Sequence, residues 1–167
     1  MSRFWVIAPF EFDAANPDEF EKAWQYDLDS GIISIGWGDL GDISTLSKEQ
    51  LLEHICDTYK DEPLNAARNF RVSLHYFWHS IKPGHTVIAR RGRKQLAAIG
   101  TVKRAVYYDP KKNPVARNSL GTPYSSHLDI QWAKSPRNRS FSKEVFGMHT
   151  VHKITENKYL ALLQLDK

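Results

Sequence analysis

GHTVIARRGRKQLAAIGTVKRAVYYD, residues Gly84–Asp109, is the segment on which the predicted architecture rests. Two runs rich in apolar and β-branched residues, His85–Arg90 and Gln95–Tyr108, flank the basic turn Arg91–Lys94, a pattern typical of a β-hairpin. The second run is long for a strand and contains Gly100, a residue type that marks bulges and sharp bends inside strands. The sequence therefore predicts a hairpin whose long strand curls the sheet toward a barrel.

Shorter strands and several helices are predicted around this hairpin. Apolar runs and alternation indicate strands at Arg3–Ala8, Ile32–Ile35 and Leu128–Trp132. Helical spacing and start signals indicate helices from Pro17 to about Asp27, after the capping box Ser47–Gln50, from Leu64 to Ile81, and after Thr155. We expect an α+β fold of about six strands forming an incomplete barrel, flanked by three to four helices, in one domain over residues 1–167.

Composition favours a compact protein of the cytoplasm. The 167 residues suit one domain with a real core, and 41% of them are hydrophobic. A lone cysteine, Cys56, excludes an internal disulfide and agrees with a reducing compartment, and its helical spacing predicts a core position. The apolar run that ends at Pro9 is too short for a signal peptide or a membrane span. We expect cytoplasmic localisation and no membrane partner.

Positive charge is concentrated in one part of the chain. Residues Lys82–Lys143 hold 14 Lys and Arg but only two acids, Asp109 and Asp129, so their formal charge is +12. The rest of the chain holds 9 basic and 17 acidic residues and carries −8. This separation indicates a surface for a polyanion, of which nucleic acid is the commonest, while the alternative is a basic surface that serves solubility.

Motifs for catalysis, cofactors and metals are weak or missing. The chain has no phosphate loop, dinucleotide-binding glycines, HExxH or nucleophile elbow, so we expect no cofactor. His75 and His79 have helical metal spacing, and His149 and His152 have strand spacing, but packed or solvated histidines are favoured over zinc. Acids beside turns could act in acid–base chemistry or hold a cation, but turn capping is favoured. These acids are Glu11, Asp13, Asp39 and Asp42.

Aromatic residues at strand ends offer a binding surface. In SGIISIGWGDLGD, residues Ser30–Asp42, a predicted strand breaks at a glycine-flanked turn that carries Trp37. Tyr107 and Tyr108 end the long hairpin strand beside a basic loop. Aromatic faces amid cations are what an unstacked base needs, although Trp37 could instead be a lid on the barrel end. The other strand and helix tryptophans Trp5, Trp78 and Trp132 are predicted in the core.

Several of these segments resemble the PUA-like superfamily, and within it the EVE and YTH domains. RFWVI is similar to their first strand, IISIGWGDLGD to the strand and turn with the first cage tryptophan, the Gly84–Asp109 segment to their central hairpin, and HLDIQW to a late strand. The resemblance implies an incomplete barrel with an aromatic cage that takes up one base, typically methylated and flipped out of its strand. A close-fitting aromatic box prefers a methylated base because the methyl group adds apolar contact.

The resemblance also implies roles for individual residues. Trp37 would form one wall of the cage, and the backbone at Gly38 and Asp39 would face the base edge. The tryptophan that YTH domains have after the hairpin is missing here, so the candidates for the second wall are Tyr107, Tyr108 and Trp24. Phe10 lies in the segment where the family places a base-contacting residue.

These observations predict a non-catalytic module that binds DNA, with RNA less favoured, and reads a modified base. Phosphate contacts are expected from Arg90, Arg91, Arg93, Lys94, Lys103 and Arg104. The resemblance is strongest to variants found as specificity modules of modification-dependent restriction systems, or as small stand-alone prokaryotic proteins, so a nuclease or an ATPase subunit or fused domain is a candidate partner. Alternatives are a small hydrolase of the same superfamily, using Lys94 or Lys103 with an acid such as Glu11, and a protein-interaction module.

Overall fold

The computed structural model describes residues 3–10, 17–118 and 121–165. The predicted acids Glu11 and Asp13 lie outside these ranges. The strands are β1 (Phe4–Ile7), β2 (Ile32–Ile35), β3 (Thr86–Arg91), β4 (Gln95–Tyr108), β5 (Ser126–Trp132), β6 (Arg139–Ser140) and β7 (Val151–Ile154). The α-helices are α1 (Pro17–Ser30), α2 (Lys48–Thr58), α3 (Leu64–His75) and α4 (Glu156–Gln164). A 3₁₀ turn covers Gly38–Leu40, and a π turn, Tyr76–Ser80, continues α3.

The described strands form one mixed, open sheet. Its order is β2-β5-β4-β3-β1-β7, and the short β6 pairs with the start of β4. β1 and β3 are parallel, whereas the other paired strands are antiparallel. The α+β class is therefore confirmed, with seven strands and four α-helices among the described residues, and the curled sheet is compatible with a partial barrel.

The long strand β4 belongs to both halves of the sheet. Its first part pairs with β3 and its second part with β5, and Gly100 faces Val87 on one side and Trp132 on the other. A Cβ atom on Gly100 would lie 2.3 Å from Cγ2 of Ile130, so only glycine allows this approach of β5. The bulge suggested at Gly100 lies beyond it, where the β4–β5 register shifts between Val102 and Arg104 and again before Tyr107. Such shifts bend a strand and raise its twist.

Alternate residues of the central strands enter two apolar clusters. Trp5 and Val87 join the larger cluster, to which α1, α2 and α3 contribute. Val6 and Ile88 face the smaller cluster, which α4 covers through Leu162. The sheet therefore has helices packed on both faces, so its central strands are buried on both sides.

On each of the two outer strands, a backbone amide donates a hydrogen bond to a buried side chain. Asp27 of α1 accepts a hydrogen bond of 2.8 Å from the amide of Ser34 in β2. At the opposite edge, Oγ of Ser73 accepts a 3.2 Å bond from the amide of Val151 in β7. Because these amides are already bonded, they offer less of a template for pairing with another chain.

The helix boundaries follow the local signals in the sequence. The predicted capping box at Ser47 and Gln50 is confirmed, and Thr155 caps α4 by accepting from the amide of Lys158. α1 runs three residues past its predicted end at Asp27. Gly31, with φ 66°, follows it in the left-handed conformation that ends many helices.

The tryptophans predicted in the core are buried to different extents. Trp5 is buried, whereas Trp78 and Trp132 are half-buried against the larger cluster. Cys56 is also half-buried against that cluster, as its helical spacing predicted.

Replacing Gly100 by alanine should destabilise the protein because the new methyl group would overlap Ile130 and also approach Trp132 to 2.9 Å. We expect the free energy of unfolding to fall by about 1–3 kcal/mol, the usual cost of overpacking. Gly147→Ala is the matched control, since its nearest contact would be an ordinary 3.8 Å. Urea denaturation of both variants measures the difference, and equal midpoints would contradict the proposed constraint at Gly100.

Candidate nucleic-acid interface

Trp37 and Tyr108 lie at the same edge of the sheet, the one formed by the ends of β2 and β4 and the start of β5. Ile35, the last residue of β2, pairs with Ser126, and Ser126 pairs with Tyr108, the last residue of β4. Two strand spacings separate β2 from β4, which amounts to about 10 Å. Trp37 follows β2 by two residues, so the predicted first wall and one candidate second wall belong to the same end of the sheet.

Trp37 has a backbone conformation that is rare for a bulky residue. Its φ of 63° and ψ of 30° lie in the left-handed region, which costs a non-glycine residue roughly 1–2 kcal/mol. The indole is half-buried and packs on Phe70 of α3, with ring centroids 5.3 Å apart. Strained residues held by their surroundings concentrate at functional sites, which makes this tryptophan a candidate for binding.

The turn after Trp37 is fixed by two residues. A Cβ atom on Gly38 would lie 2.2 Å from the carbonyl oxygen of Pro123, so glycine is required for the turn to pack there. The carboxylate of Asp39 accepts hydrogen bonds from Tyr59 (3.2 Å), Asn118 (2.9 Å) and Thr122. Burial and the nearby Asp39 raise the pKa of Tyr59, which keeps its hydroxyl a donor. Asp39 thus acts as an anchor between segments, in line with the structural interpretation of the turn acids.

The two tyrosines that end β4 differ in their surroundings. The hydroxyl of Tyr107 donates to Asp129 at 2.6 Å, and the guanidinium of Arg104 lies 3.9 Å from its ring centroid. Burial and this hydrogen bond raise the pKa of Tyr107. Tyr108 is half-buried and is the tyrosine in register with Ile35 through Ser126. Because Arg104 already covers part of Tyr107, Tyr108 is the better candidate for the second wall.

The other two aromatic candidates lie in the core. Trp24 is 3% exposed and contacts Trp132 edge to face, with centroids 5.2 Å apart. Phe10 is buried with its ring 5.2 Å from that of Tyr124. In this conformation neither side chain presents an open ring face to a base.

The predicted phosphate-binding residues divide into two groups along β4. Lys103 and Arg104 are exposed on the second half of the strand, near Tyr107. The residues Arg90–Lys94 lie at the hairpin turn, at the other end of this 14-residue strand. A straight strand of that length spans about 43 Å, so the turn residues are remote from Trp37.

A basic groove of about 510 Å³ lies at the hairpin turn. Its lining includes Arg91, Arg93, Lys94, Ser140 and Glu144. Arg91 contacts Glu21 and lies over the ring of Phe20, and Arg93 pairs with Glu144 at 2.6 Å. Lys94 is exposed, so a ligand in the groove meets a net positive charge.

Arg90 is not on the surface where a nucleic-acid backbone would contact it. Only 7% of the residue is exposed, and its guanidinium donates to the carbonyl oxygens of Gly92 (2.7 Å) and His149 (3.1 Å). Burial and the charge of Arg93 lower its pKa. We therefore assign Arg90 to joining the hairpin turn to the segment before β7.

A buried polar network, which the sequence analysis did not single out, lies beneath this edge of the sheet. Oγ of Ser34 is 3.0 Å from a carboxylate oxygen of Asp27 and 2.7 Å from Nδ1 of His127. Asn113 donates to Asp27 at 2.8 Å. All four residues are buried. The sequence feature that could have indicated this network is Ser34, a polar residue inside the apolar strand IISI.

The described residues offer little for metal binding or hydrolysis. No group of three or more His, Cys, Asp or Glu side chains comes together in the described ranges, and the His75 and His79 rings form only a pair, 4.8 Å apart. For the hydrolase alternative, Lys94 lies in the hairpin turn and Lys103 in β4, and the acid suggested for either, Glu11, lies outside the described residues. The Ser34 hydroxyl has a histidine and a carboxylate beside it, but it is fully buried and closed to substrate in this conformation.

Comparison with protein-family models assigns the chain to a family. The sequence model of DUF8426, a domain of unknown function, matches residues 14–155. No curated protein matches the sequence. Within the described ranges, no helix combines the length and apolar character needed to cross a membrane.

Replacing Asp39 by alanine should destabilise the turn because three hydrogen-bond donors would lose their charged acceptor. We expect the free energy of unfolding to fall by about 2 kcal/mol or more. Asp42→Ala is the matched control, since Asp42 accepts one exposed bond, from the amide of Ser44, and its loss should cost less than about 1 kcal/mol. If urea denaturation gave the two variants the same stability, Asp39 would not be an anchor.

Proposed function

Given that the chain belongs to DUF8426, a family of domains of unknown function, we propose that it is a non-catalytic nucleic-acid-binding module that holds a modified base at the edge of its sheet. The fold proposed for this role is PUA-like, of the EVE and YTH type. DNA is the proposed partner in preference to RNA, and a nuclease or an ATPase is the proposed functional associate.

The charge separation is the observation that carries this proposal. Residues Lys82–Lys143 carry a formal charge of +12 and build the adjacent strands β3, β4, β5 and β6. The two acids of this segment are engaged internally, since Asp109 accepts from the amide of Lys111 and Asp129 accepts from Tyr107. The basic side chains of these strands therefore meet little opposing charge from within their own segment, which favours binding to phosphates.

The aromatic edge supports a site for a single base. Trp37 and Tyr108 end strands that lie about 10 Å apart, and a base stacked between two rings needs about 7 Å between their planes. Binding of a base would require the half-buried rings of Trp37 and Tyr108 to face each other at that separation. Lys103 and Arg104 on the adjoining half of β4 would contact the flanking phosphates.

Catalysis by the hydrolase alternative has less support. Glu11, the acid suggested for it, lies outside the described residues, and the hydroxyl of Ser34 is buried. Saturable binding of a modified nucleoside without any product would favour the reader, whereas turnover would favour the hydrolase.

Binding to matched oligonucleotides tests the proposal. DNA strands that differ only in one methylated adenine or cytosine should differ in affinity by about fourfold or more, the contribution of one buried methyl group. Trp37→Ala should abolish this preference and weaken binding by about 5- to 150-fold, because stacking contributes 1–3 kcal/mol per base. Fluorescence anisotropy titrations measure both effects.

Control variants separate base reading from charge. Arg104→Ala should weaken binding to modified and plain strands alike and reduce the salt dependence by about one counterion, whereas Lys60→Ala, in the acidic part of the chain, should change neither. Trp37→Phe keeps an aromatic face and should retain part of the preference. Equal affinity of the wild-type protein for all strands would overturn the base-reader proposal.

A further inference from the structure

Three buried side chains form a continuous hydrogen-bonded row across α1, β2 and β5. Oδ1 of Asp27 lies 3.0 Å from Oγ of Ser34, which lies 2.7 Å from Nδ1 of His127. The other ring nitrogen of His127, Nε2, is 2.8 Å from the carbonyl oxygen of Asp109. The three residues are fully buried, so the row has no solvent with which to exchange hydrogen-bond partners.

The hydrogen atoms in this row can be counted. The carbonyl oxygen of Asp109 can only accept, so Nε2 of His127 must carry a hydrogen. If His127 is neutral, its Nδ1 is then an acceptor and requires the single hydroxyl hydrogen of Ser34. The contact between Ser34 and Asp27 consequently needs a hydrogen from Asp27.

One additional proton therefore satisfies every contact in the row. It resides on Oδ1 of Asp27 with His127 neutral, or on Nδ1 of His127 with Asp27 ionised, and Ser34 passes it between the two. When that proton is lost, one contact in the row joins two acceptors. Two buried acceptors in contact with no hydrogen between them raise the free energy of the folded state, so the two atoms must then move apart.

The row holds the chain segment that follows β4. Asp109 contacts His127 through its carbonyl oxygen, and Asn113 donates to Asp27 at 2.8 Å. The side-chain oxygen of Asn113 in turn accepts from the amides of Val115 and Ala116, each at 3.0 Å. The Asp109 end of the segment Asp109–Ala116 is thus bound to the row through His127, while the other end is bound through Asn113, whose hydrogen bond favours the ionised carboxylate of Asp27.

We propose that Asp27, Ser34 and His127 form a proton latch, which holds the Asp109 end of the segment Asp109–Ala116 while one proton is bound and loosens that end when the proton is lost. The segment carries Lys111 and Lys112, so the latch would control the position of two positive charges beside the long strand. The latch stands independently of the proposed nucleic-acid binding.

Burial and the neighbouring charged groups determine the pH at which the latch loses its proton. Burial raises the pKa of Asp27 to about 7, with opposing contributions from the hydrogen bonds of Asn113 and Ser34. Burial lowers the pKa of His127, which favours the neutral form of the ring. The other titratable or charged groups that face the row are Tyr107 from β4, Asp129 from β5, and Asp109 and Lys112 from the held segment.

The direction of the pH effect follows from these shifts. A carboxyl group whose pKa is raised on folding retains its proton at higher pH in the folded state, and the proton is lost as the pH rises through about 7. The latch is therefore closed below this pH and open above it. The free-energy contribution of Asp27 to stability declines as the pH rises from 3.8 to about 7, while the lowered pKa of His127 acts in the opposite sense below 6.5.

Hydrogen exchange of the intact protein between pH 5 and pH 9 tests the latch. After correction for intrinsic exchange rates, protection of the Asp109 amide, which donates to the carbonyl oxygen of Ser125, should fall about tenfold with a midpoint near pH 7, the factor expected for one lost buried hydrogen bond. Protection that stays constant over this pH range would overturn the proposal.

A matched pair of serine variants identifies the relay. Ser34→Ala interrupts the row and should abolish the pH step, whereas Ser125→Ala removes another buried serine hydroxyl, bonded to the carbonyl oxygen of Pro123, and should leave the step intact. A step that persists unchanged in Ser34→Ala would also overturn the proposal.

Nitrogen-15 shifts of His127 in the wild-type protein provide a test that requires no variant. Below the midpoint, Nε2 should carry a hydrogen and Nδ1 should be an acceptor or be protonated. A neutral ring with its hydrogen on Nδ1 alone at pH 6 would contradict the latch.

Discussion

The close approach of β5 to Gly100 is the contact on which the rest of the sheet depends. β4 pairs with β3 before this point and with β5 after it, so the two halves of the sheet are joined through one strand. A side chain at Gly100 would collide with Ile130 and push β5 away. Because β2 pairs with β5, such a displacement would also move the turn that carries Trp37.

Two acidic side chains hold together the segments at the edge of the sheet where Trp37 and Tyr108 lie. Asp39 connects its own turn with Tyr59 at the end of α2 and with Asn118 and Thr122 in the loop before β5. Asp27 reaches β2 and, through Asn113, the segment after β4. Buried or half-buried bonds to charged groups are costly to break, so these two carboxyl groups hold segments that have little apolar packing of their own.

Local signals account for much of what the sequence predicts correctly. The capping box at Ser47, the proline start of α1 and the hairpin turn each depend on a few neighbouring residues, and each is present at its predicted place. The π turn at Tyr76–Ser80 extends α3 almost to the predicted end at Ile81. Apolar runs and alternation likewise identified β1 to β5, because burial imposes those patterns, but they did not identify the short strands β6 and β7.

Local sequence signals could not predict how deeply a side chain is buried or which distant residues it contacts. Arg90 stands beside Arg91 in the sequence, yet it is buried because a segment 59 residues later supplies His149 as its partner. Trp24 was a candidate for the second wall of the cage through the family resemblance, but the distant Trp132 packs against it. The relation between Asp27, Ser34 and His127 likewise arises only when β2 and β5 pair, since Ser34 and His127 are 93 residues apart.

The central claim is that the edge formed by Trp37 and Tyr108 receives a base. NMR titration of the labelled protein with a short methylated DNA strand tests it most directly, through the indole of Trp37, the ring of Tyr108 and the backbone amides around them. The account predicts the largest shift changes at this edge and smaller ones at Lys103 and Arg104. Changes confined to the hairpin turn at Arg91–Lys94, with Trp37 and Tyr108 unaffected, would contradict it.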